Sequence, residues 1–390
     1  MKSKISGQML KYLILLIIPF FIFVAIEGTF SIQSILPVIL LLLFADLTHR
    51  KIKKQERMLI VVGLFLLSTC VSLVYNALVG TGLTTSRTYI RIIYYLVILY
   101  FYFSLTGVKY TNIQLEKIFT ANIICGALVA MYLIVVNHIW FVGLLGTRVD
   151  KNFVGAILAV QGEIALIKFL KTDKPLGKLF AIVSYIIILL GIFYSASRAS
   201  VLVVILGTSI TIFFRLIEKR NTKRGFIKLL FIFLATIVSC IVAFSIVAPR
   251  MSNASASIRW YWNRYFVNGF GDASVTGRVV WWKEALVLWL NRLLCGYGIG
   301  NVNVSGNSSA VAHNTYIDFL LDQGILGFAG FLVILHRSIS KIIRKRNSIY
   351  YGIIVTVLLS ALILSATRST FLWYNMVILW CIGNAANELK

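Results

Sequence analysis

Apolar residues run along this chain in blocks of roughly 17 to 25 positions, the length at which an α-helix covers about 30 Å of hydrocarbon. The blocks fall at 11 to 27, 31 to 48, 58 to 80, 89 to 107, 118 to 144, 153 to 170, 179 to 195, 199 to 216, 227 to 248, 313 to 335, 349 to 366 and 370 to 387. None shows the alternating ten-residue pattern of a membrane barrel, so each predicts a helix whose backbone hydrogen bonds close within the segment. The pattern reads as an all-α integral membrane protein of about 12 transmembrane helices, forming a single polytopic domain over residues 1 to 390. Most polar breaks are short. The exception lies between helices 9 and 10, where residues 249 to 312 form a long extracytoplasmic loop. Loops of that length in compact membrane proteins tend to carry function.

Composition sharpens this picture. The 390 residues are 59% hydrophobic and only 13% charged, more apolar than one soluble core requires. The first block follows Lys2 and Lys4 and resembles a signal peptide, but no small-residue cleavage site separates it from the next block, so it is expected to stay as a helix. Basic runs then set the orientation, because lysine and arginine collect in cytoplasmic loops. HRKIKKQER (49 to 57), KTDKPLGK (171 to 178), EKRNTKR (218 to 224) and HRSISKIIRKR (336 to 346) all fall on one side, which places both termini in the cytoplasm. Much of the net charge of +25 is therefore a topology signal. The basic runs are short and scattered between spans, so no nucleic-acid partner is expected. The five cysteines are unclustered and form neither a disulfide framework nor a metal site. No internal repeat is visible, which gives no support to an inverted-repeat transporter.

The loop has two parts. RMSNASASIRWYWNRYFVNGFGDASVTG brings Trp260, Tyr261, Trp262, Tyr265 and Phe266 among arginines, a mixture suited to the headgroup boundary. GRVVWWKEALVLWLNRLLCGYGIGN then predicts an amphipathic helix at about 277 to 294, ended by glycines. Outward-facing cations (Arg148, Lys151, Arg198, Arg250, Arg259, Arg264, Arg278, Lys283, Arg292) outnumber the outward acids Glu27, Asp150, Asp272 and Glu284. Basic residues are normally depleted on that side, so the face favours an anionic ligand. Arg198 stands in the turn SASRAS, where small residues admit a bulky group beside a helix start. Arg278 follows Thr276 and Gly277 in the first turn expected of the loop helix, where N–H groups and the dipole favour an anion. Two arginine forks of this kind can clamp a diphosphate. Snorkelling to headgroups, or pairing with a nearby acid, is the competing reading for each.

Of the four histidines, His49 and His336 lie in cytoplasmic basic runs and His138 near a span end. His313 is left as the outward candidate for proton transfer from a hydroxyl, with a simple interfacial polar role as the alternative. Asn314 beside it is a suitable N-cap, which would put Thr315 to Ile317 in the first turn. Asp318 and Asp322, on the same helical face as Asn314, should point into protein or a wet cavity, to orient the histidine, bind sugar hydroxyls or serve packing. There is no metal-ligand spacing, no GxSxG and no outward carboxylate pair of the glycosidase type. Leaving-group charge would then fall to cationic side chains.

In order along the chain, five stretches resemble the O-antigen ligase and polymerase family of bacterial envelope polysaccharide synthesis. They are GTRVDKNFVG (146 to 155), YSASRASVL (194 to 202), GRVVWWKEAL (277 to 286), GYGIGN (296 to 301) and HNTYIDFLLDQGILG (313 to 327). The resemblance implies a metal-independent membrane glycosyltransferase with no cofactor, acting on the outer face of the bacterial cytoplasmic membrane. Its donor would be an undecaprenyl-diphosphate-linked oligosaccharide and its acceptor a sugar hydroxyl. Carried onto this sequence, Arg198 and Arg278 would hold the diphosphate and His313 would activate or orient the acceptor. Trp281 and Trp282 would cover the site and its lipid entrance. Arg148, Asn152, Asn314, Asp318 and Asp322 are further candidates for contact with substrate. Lys151 stands where the family often has proline and Asp322 where it often has glutamate.

The modest length and plain outer loop favour a repeat-unit polymerase of capsule, exopolysaccharide or O-antigen type, working beside a chain-length regulator and a flippase. An O-antigen ligase or a related wall-polymer ligase, which passes the glycan to another acceptor, is the near alternative. A lipid-linked oligosaccharide flippase is the alternative of another class, but it should show a charged path across the bilayer, and here the cations gather on the outer face.

Overall fold

The computed structural model describes residues 7–24, 56–79, 104, 110–136, 141–142, 148–149, 151–195, 197–218, 227, 234, 273–298, 314–344, 348–363 and 378–383. In chain order the helices are α1 (Gly7–Ile17, continued as the 3-10 stretch Ile18–Val24), α2 (Glu56–Leu78) and α3 (Asn112–Val136). Then come α4 (Lys151–Lys171), α5 (Pro175–Tyr194), α6 (Arg198–Glu218), α7 (Ala273–Leu290), α8 (Thr315–Arg344) and α9 (Tyr351–Ile363). The described non-helical pairing is one short antiparallel ladder of β1 (Phe141–Val142) and β2 (Arg148–Val149), with Phe141 opposite Val149 and Val142 opposite Arg148. Four helices, α3, α4, α5 and α8, are long and apolar enough to cross a membrane, and α1, α2, α6 and α9 contain shorter apolar stretches. Large apolar side chains lie open on their outer surfaces, as lipid contact requires: Leu78, Val135 and Leu176 are about four-fifths exposed (81%, 78% and 82%). The protein is a multi-pass, predominantly helical membrane protein.

The helices expected at 31 to 48, 89 to 107, 227 to 248 and 370 to 387 lie wholly or mostly outside the described residues, as does most of the long loop. Three sequence boundaries are corrected. The helix expected at 118 to 144 runs instead as Asn112–Val136, because Phe141 and Val142 are taken up by the ladder with β2. It starts early through a reciprocal cap: Gln114 N–H donates to Thr111 Oγ1 at 3.2 Å, and Thr111 N–H donates to Gln114 Oε1 at 3.0 Å. The basic run at 336 to 346, read as a loop, is helical through Arg344. Lysine and arginine are good helix formers, and at a C-terminus their charge complements the dipole. The loop helix is Ala273–Leu290, earlier than the 277 to 294 expected.

α4 lies at the centre, buried over most of its length, and α3, α5 and α6 pack round it. Its run of glycine and alanine lets neighbouring backbones approach, which is how helices associate when lipid and side chain are equally apolar. α5 uses the same device on α3: a Cβ added to Gly191 would fall 2.4 Å from Ala130 Cβ. α9 packs on α6 and also touches α8, so it links the two halves of the described fold.

α8 is not one rod. Gly324 has φ 59° and ψ −166°, far from helical values, and divides the element into limbs 315–323 and 325–344. Phe319 and Phe331 stack with centroids 4.6 Å apart and planes at 4°. On a straight helix their Cα atoms would be about 18 Å apart along the axis. The limbs therefore fold sharply against each other, and the single span expected at 313 to 335 is corrected to a bent pair.

Candidate functional site

Two groups of residues gather where these helices meet. The first joins α4 to α6. Ser197 Oγ donates to Asn152 Oδ1 at 3.1 Å and lies 2.7 Å from Ser200 Oγ. Gly155, one turn further along α4, faces the same pair, and a Cβ there would sit 2.2 Å from Ser200 Oγ. GTRVDKNFVG and SASRAS, separate in sequence, are thus one packed junction. Arg198 is the first residue of α6 at this junction, Arg148 lies on β2 and Lys151 is buried in the first turn of α4. The side chains of Arg148, Arg198 and Arg278, and all of His313, lie outside the described residues. With α7 starting at Ala273, Arg278 stands in its second turn rather than the first, so the free N–H groups of that helix start precede it in sequence.

The second group is built on the bend in α8. A break in a membrane helix exposes N–H and C=O groups that lipid cannot satisfy. Here the segment after α7, residues 293–298, supplies the missing partners. Tyr297 N–H donates to Leu321 O and Gly298 N–H to Asp322 O, both at 2.9 Å, which satisfies the end of the first limb. Ile325 N–H donates to Leu293 O at 2.9 Å and Leu326 N–H to Leu294 O at 3.2 Å, which caps the start of the second. The approach is so close that only glycine fits at both crossing points. A Cβ on Gly324 would lie 2.4 Å from Leu294 C and O, and one on Gly296 (φ 64°) would lie 2.6 Å from Leu321 O.

α2 completes the clamp with a polar stripe at helical spacing, Ser68, Ser72 and Asn76, directed at carbonyls of the docked segment. Ser68 Oγ donates to Gln323 O at 2.5 Å, Ser72 Oγ to Cys295 O at 2.7 Å, and Asn76 Nδ2 to Tyr297 O at 2.9 Å. Gln323 Nε2 reaches Thr69 Oγ1 at 3.3 Å. Arg292 donates from Nη1 to Asn76 Oδ1 at 2.5 Å, and its guanidinium lies between the rings of Tyr75 (4.2 Å) and Tyr297 (4.3 Å). Burial pushes the Cys295 thiol above its ordinary pKa, which disfavours its thiolate form.

The first limb of α8 carries the remaining candidates. Asn314 caps it as the sequence indicated, with Oδ1 accepting from Tyr316 N–H at 3.0 Å and Ile317 N–H at 3.3 Å. Asn314, Asp318 and Asp322 are all buried along this limb. α7 packs across it: Trp281, Trp282, Trp289 and Tyr297 surround Ala285 and Leu321, so both candidate tryptophans are half-buried in the α7–α8 contact. Sequence reasoning missed the α2 stripe, the bend at Gly324 and the held position of Arg292. The signal was there in part, since SxxxSxxxN inside an apolar block marks a face that cannot contact lipid. Among the described residues no cluster of histidine, cysteine, aspartate or glutamate could hold a metal ion.

These two groups bring together the stretches that resemble a family of envelope-polysaccharide enzymes, and comparison with known families bears on them directly. No curated protein matches the chain. The family model described as O-antigen ligase matches residues 183–332, from α5 through SASRAS and α7 to the second limb of α8. Over that segment, which is less than half of the chain, the protein is similar to the O-antigen ligase family.

Proposed function

We propose that the protein is a polysaccharide polymerase, transferring a glycan from an undecaprenyl-diphosphate donor to a sugar hydroxyl of a second lipid-linked repeat unit. The observation that carries this reading is the junction of Asn152 with Ser197, which sets the start of α6, and with it the backbone of Arg198, beside the GTRVDKNFVG stretch. Arg198 and Arg278 bind the donor diphosphate and spread the charge that develops on it as the glycosidic bond breaks. His313, next to the cap residue Asn314, takes the proton of the acceptor hydroxyl. One C–O bond forms at the anomeric carbon, the bond to the diphosphate oxygen breaks, and the lipid diphosphate leaves with its electron pair. Cationic side chains do the work of charge neutralisation in this scheme. Arg148, Asn152, Asp318 and Asp322 line the approach of the sugars, and the α7 tryptophans Trp281 and Trp282 cover the lipid side. The site opens to the outer face of the cytoplasmic membrane, and both chain termini lie inside. A chain-length regulator and a flippase are its working partners.

The description of the matching family favours a second reading, a ligase that hands the finished glycan to a different acceptor. Purified protein given lipid-linked repeat units as sole substrate separates the two. A ladder of lengthening chains on lipid diphosphate supports the polymerase. Unchanged repeat units that are consumed only when a separate acceptor is added support the ligase. The same assay with a chelator tests the metal-free mechanism, which fails if chain growth stops.

A further inference from the structure

Glu163, in the interior of α4, takes no part in the mechanism above. It is fully buried in the most enclosed helix of the fold. Its carboxyl oxygens face hydroxyl groups: Thr211 Oγ1 makes a short hydrogen bond to Oε1, and Thr208 Oγ1 donates to Oε2 at 3.4 Å. Thr208 is in turn 2.9 Å from the Tyr185 hydroxyl. α9 closes the remaining side. A Cβ on Gly207 of α6 would lie 3.2 Å from Glu163 Oε2 and 2.1 Å from Thr356 Oγ1, so the carboxyl and this α9 hydroxyl flank the same glycine. Thr356 is fully buried, and its hydroxyl has no hydrogen-bond partner among the described residues.

The groups that face Glu163 from the packed helices are Tyr185 on α5, Thr208 and Thr211 on α6 and Thr356 on α9, all neutral. On α4 itself the next ionisable residue is Lys168, which is directed to Thr120 and Glu116 of α3, 3.9 Å from the Glu116 carboxylate. An ionised carboxylate held this way has no counter-charge among the described residues, and burying one costs far more than a few hydroxyl contacts return. Two occupants could neutralise it, a proton or a small metal cation. The packing decides between them, because a Cβ on Gly352 would already lie 1.8 Å from Thr211 Oγ1, 2.5 Å from Glu163 Oε1 and 2.7 Å from Gly207 O. Such density leaves no room for an ion with its ligand shell.

We propose that Glu163 is an intramembrane proton-binding site, its carboxyl holding one proton among the hydroxyls of Thr211 and Thr208. Thr211 and Thr208 then tie the neutral acid to α6, and α9 packs over it. Release of the proton to solvent at high pH leaves a bare charge in this seam. The same two helices, α4 and α6, meet about three turns outward at Asn152 and Ser197, so the seam bears on that junction. The site does not depend on the polymerase reading, and its test needs no activity.

Infrared spectra of the purified full-length protein, with glutamate carrying carbon-13, should show at neutral pH the C=O stretch of a protonated carboxylic acid that moves with the label. Glu163→Gln should remove that band. Raising the pH should remove it in the wild type and lower the melting temperature by roughly 5 °C, whereas the melting temperature of Glu163→Gln stays constant over the same range. Thr211→Val should keep the proton and shift the band to the frequency of a weaker hydrogen bond. A wild type without the labelled band at neutral pH overturns the proposal, and this reading stands even if Glu163→Gln fails to fold. Sodium that raises the melting temperature of the wild type but not of Glu163→Gln overturns it in favour of a metal cation. An unshifted band in Thr211→Val overturns Thr211 as a partner of the carboxyl.

Discussion

The contact of α4 with α6 and the contact of α8 with α2 and α7 solve the same problem by opposite means. At α4 the backbone is helical without a break, and closeness comes from small residues such as Gly155 against Ser197 and Ser200. At α8 the helix is broken, and closeness serves to replace lost hydrogen bonds: four come from the backbone of 293–298, and one comes from Ser68 to Gln323 O. A regular helix can be moved against its neighbour at little cost beyond packing. A broken one cannot, since every displaced partner leaves an unsatisfied group in a setting without water. The difference teaches where rigidity is concentrated. The bent element carries the cap residue beside the candidate base His313, and the clamp fixes α7, with Arg278, to it.

The strongest way to sharpen that contrast is to separate chemistry from architecture. In cells lacking the native copy, Arg198→Ala, Arg278→Ala and His313→Ala should each cut chain-forming activity by about 10²- to 10³-fold while the protein still inserts and melts as the wild type does. Glycan length on gels and thermal unfolding of the purified variants check this, and a wild-type ladder removes that residue from the mechanism. Next come the glycines. Gly324→Ala meets backbone atoms at 2.4 Å and requires a positive φ, so it should destabilise by about 3 kcal/mol or more. Gly191→Ala, in the regular half, meets Ala130 at the same 2.4 Å without the φ penalty and should cost about 2 kcal/mol. Denaturant unfolding in detergent ranks them, and an equal or reversed order breaks the comparison.

Smaller effects probe the α2 stripe. Ser68→Ala with Ser72→Ala removes donors from Gln323 O and Cys295 O and should cost about 2 kcal/mol together, near 1 kcal/mol per bond. Proteolysis near Cys295 should quicken in step. Smallest is Asn314→Ala, which removes the cap of the first limb for about 1 kcal/mol, with Asn314→Asp nearly neutral in the same melt. A loss well above that would mean Asn314 also holds something other than its own helix.

Hydrophobic blocks alone located α2, α4, α5, α6 and α9 within a few residues, because in lipid an apolar stretch of that length has no alternative to a helix. Short motifs alone marked SASRAS, GYGIGN and HNTYIDFLLDQGILG, since arginine, glycine and histidine are conspicuous where apolar residues are expected. The cap at Asn314 was also legible, being a local bond between neighbours in sequence. What sequence could not express was any contact whose partners lie far apart along the chain. Nothing in HNTYIDFLLDQGILG announces that Gly324 ends one limb and starts another, because a glycine within a helix is tolerated as often as it breaks one. The bend exists only because residues 293–298 and Ser68, over 250 positions before Gln323, are there to satisfy it. Likewise Glu163 reads in sequence as an isolated acid within a span, and only the packing of α5, α6 and α9 around it leaves hydroxyls for company and, among the described residues, no counter-charge. Local periodicity and capping were the sequence's to determine; the closure of broken backbone and the isolation of a buried charge belonged to tertiary structure, because each depends on groups that only folding brings within 3 to 4 Å.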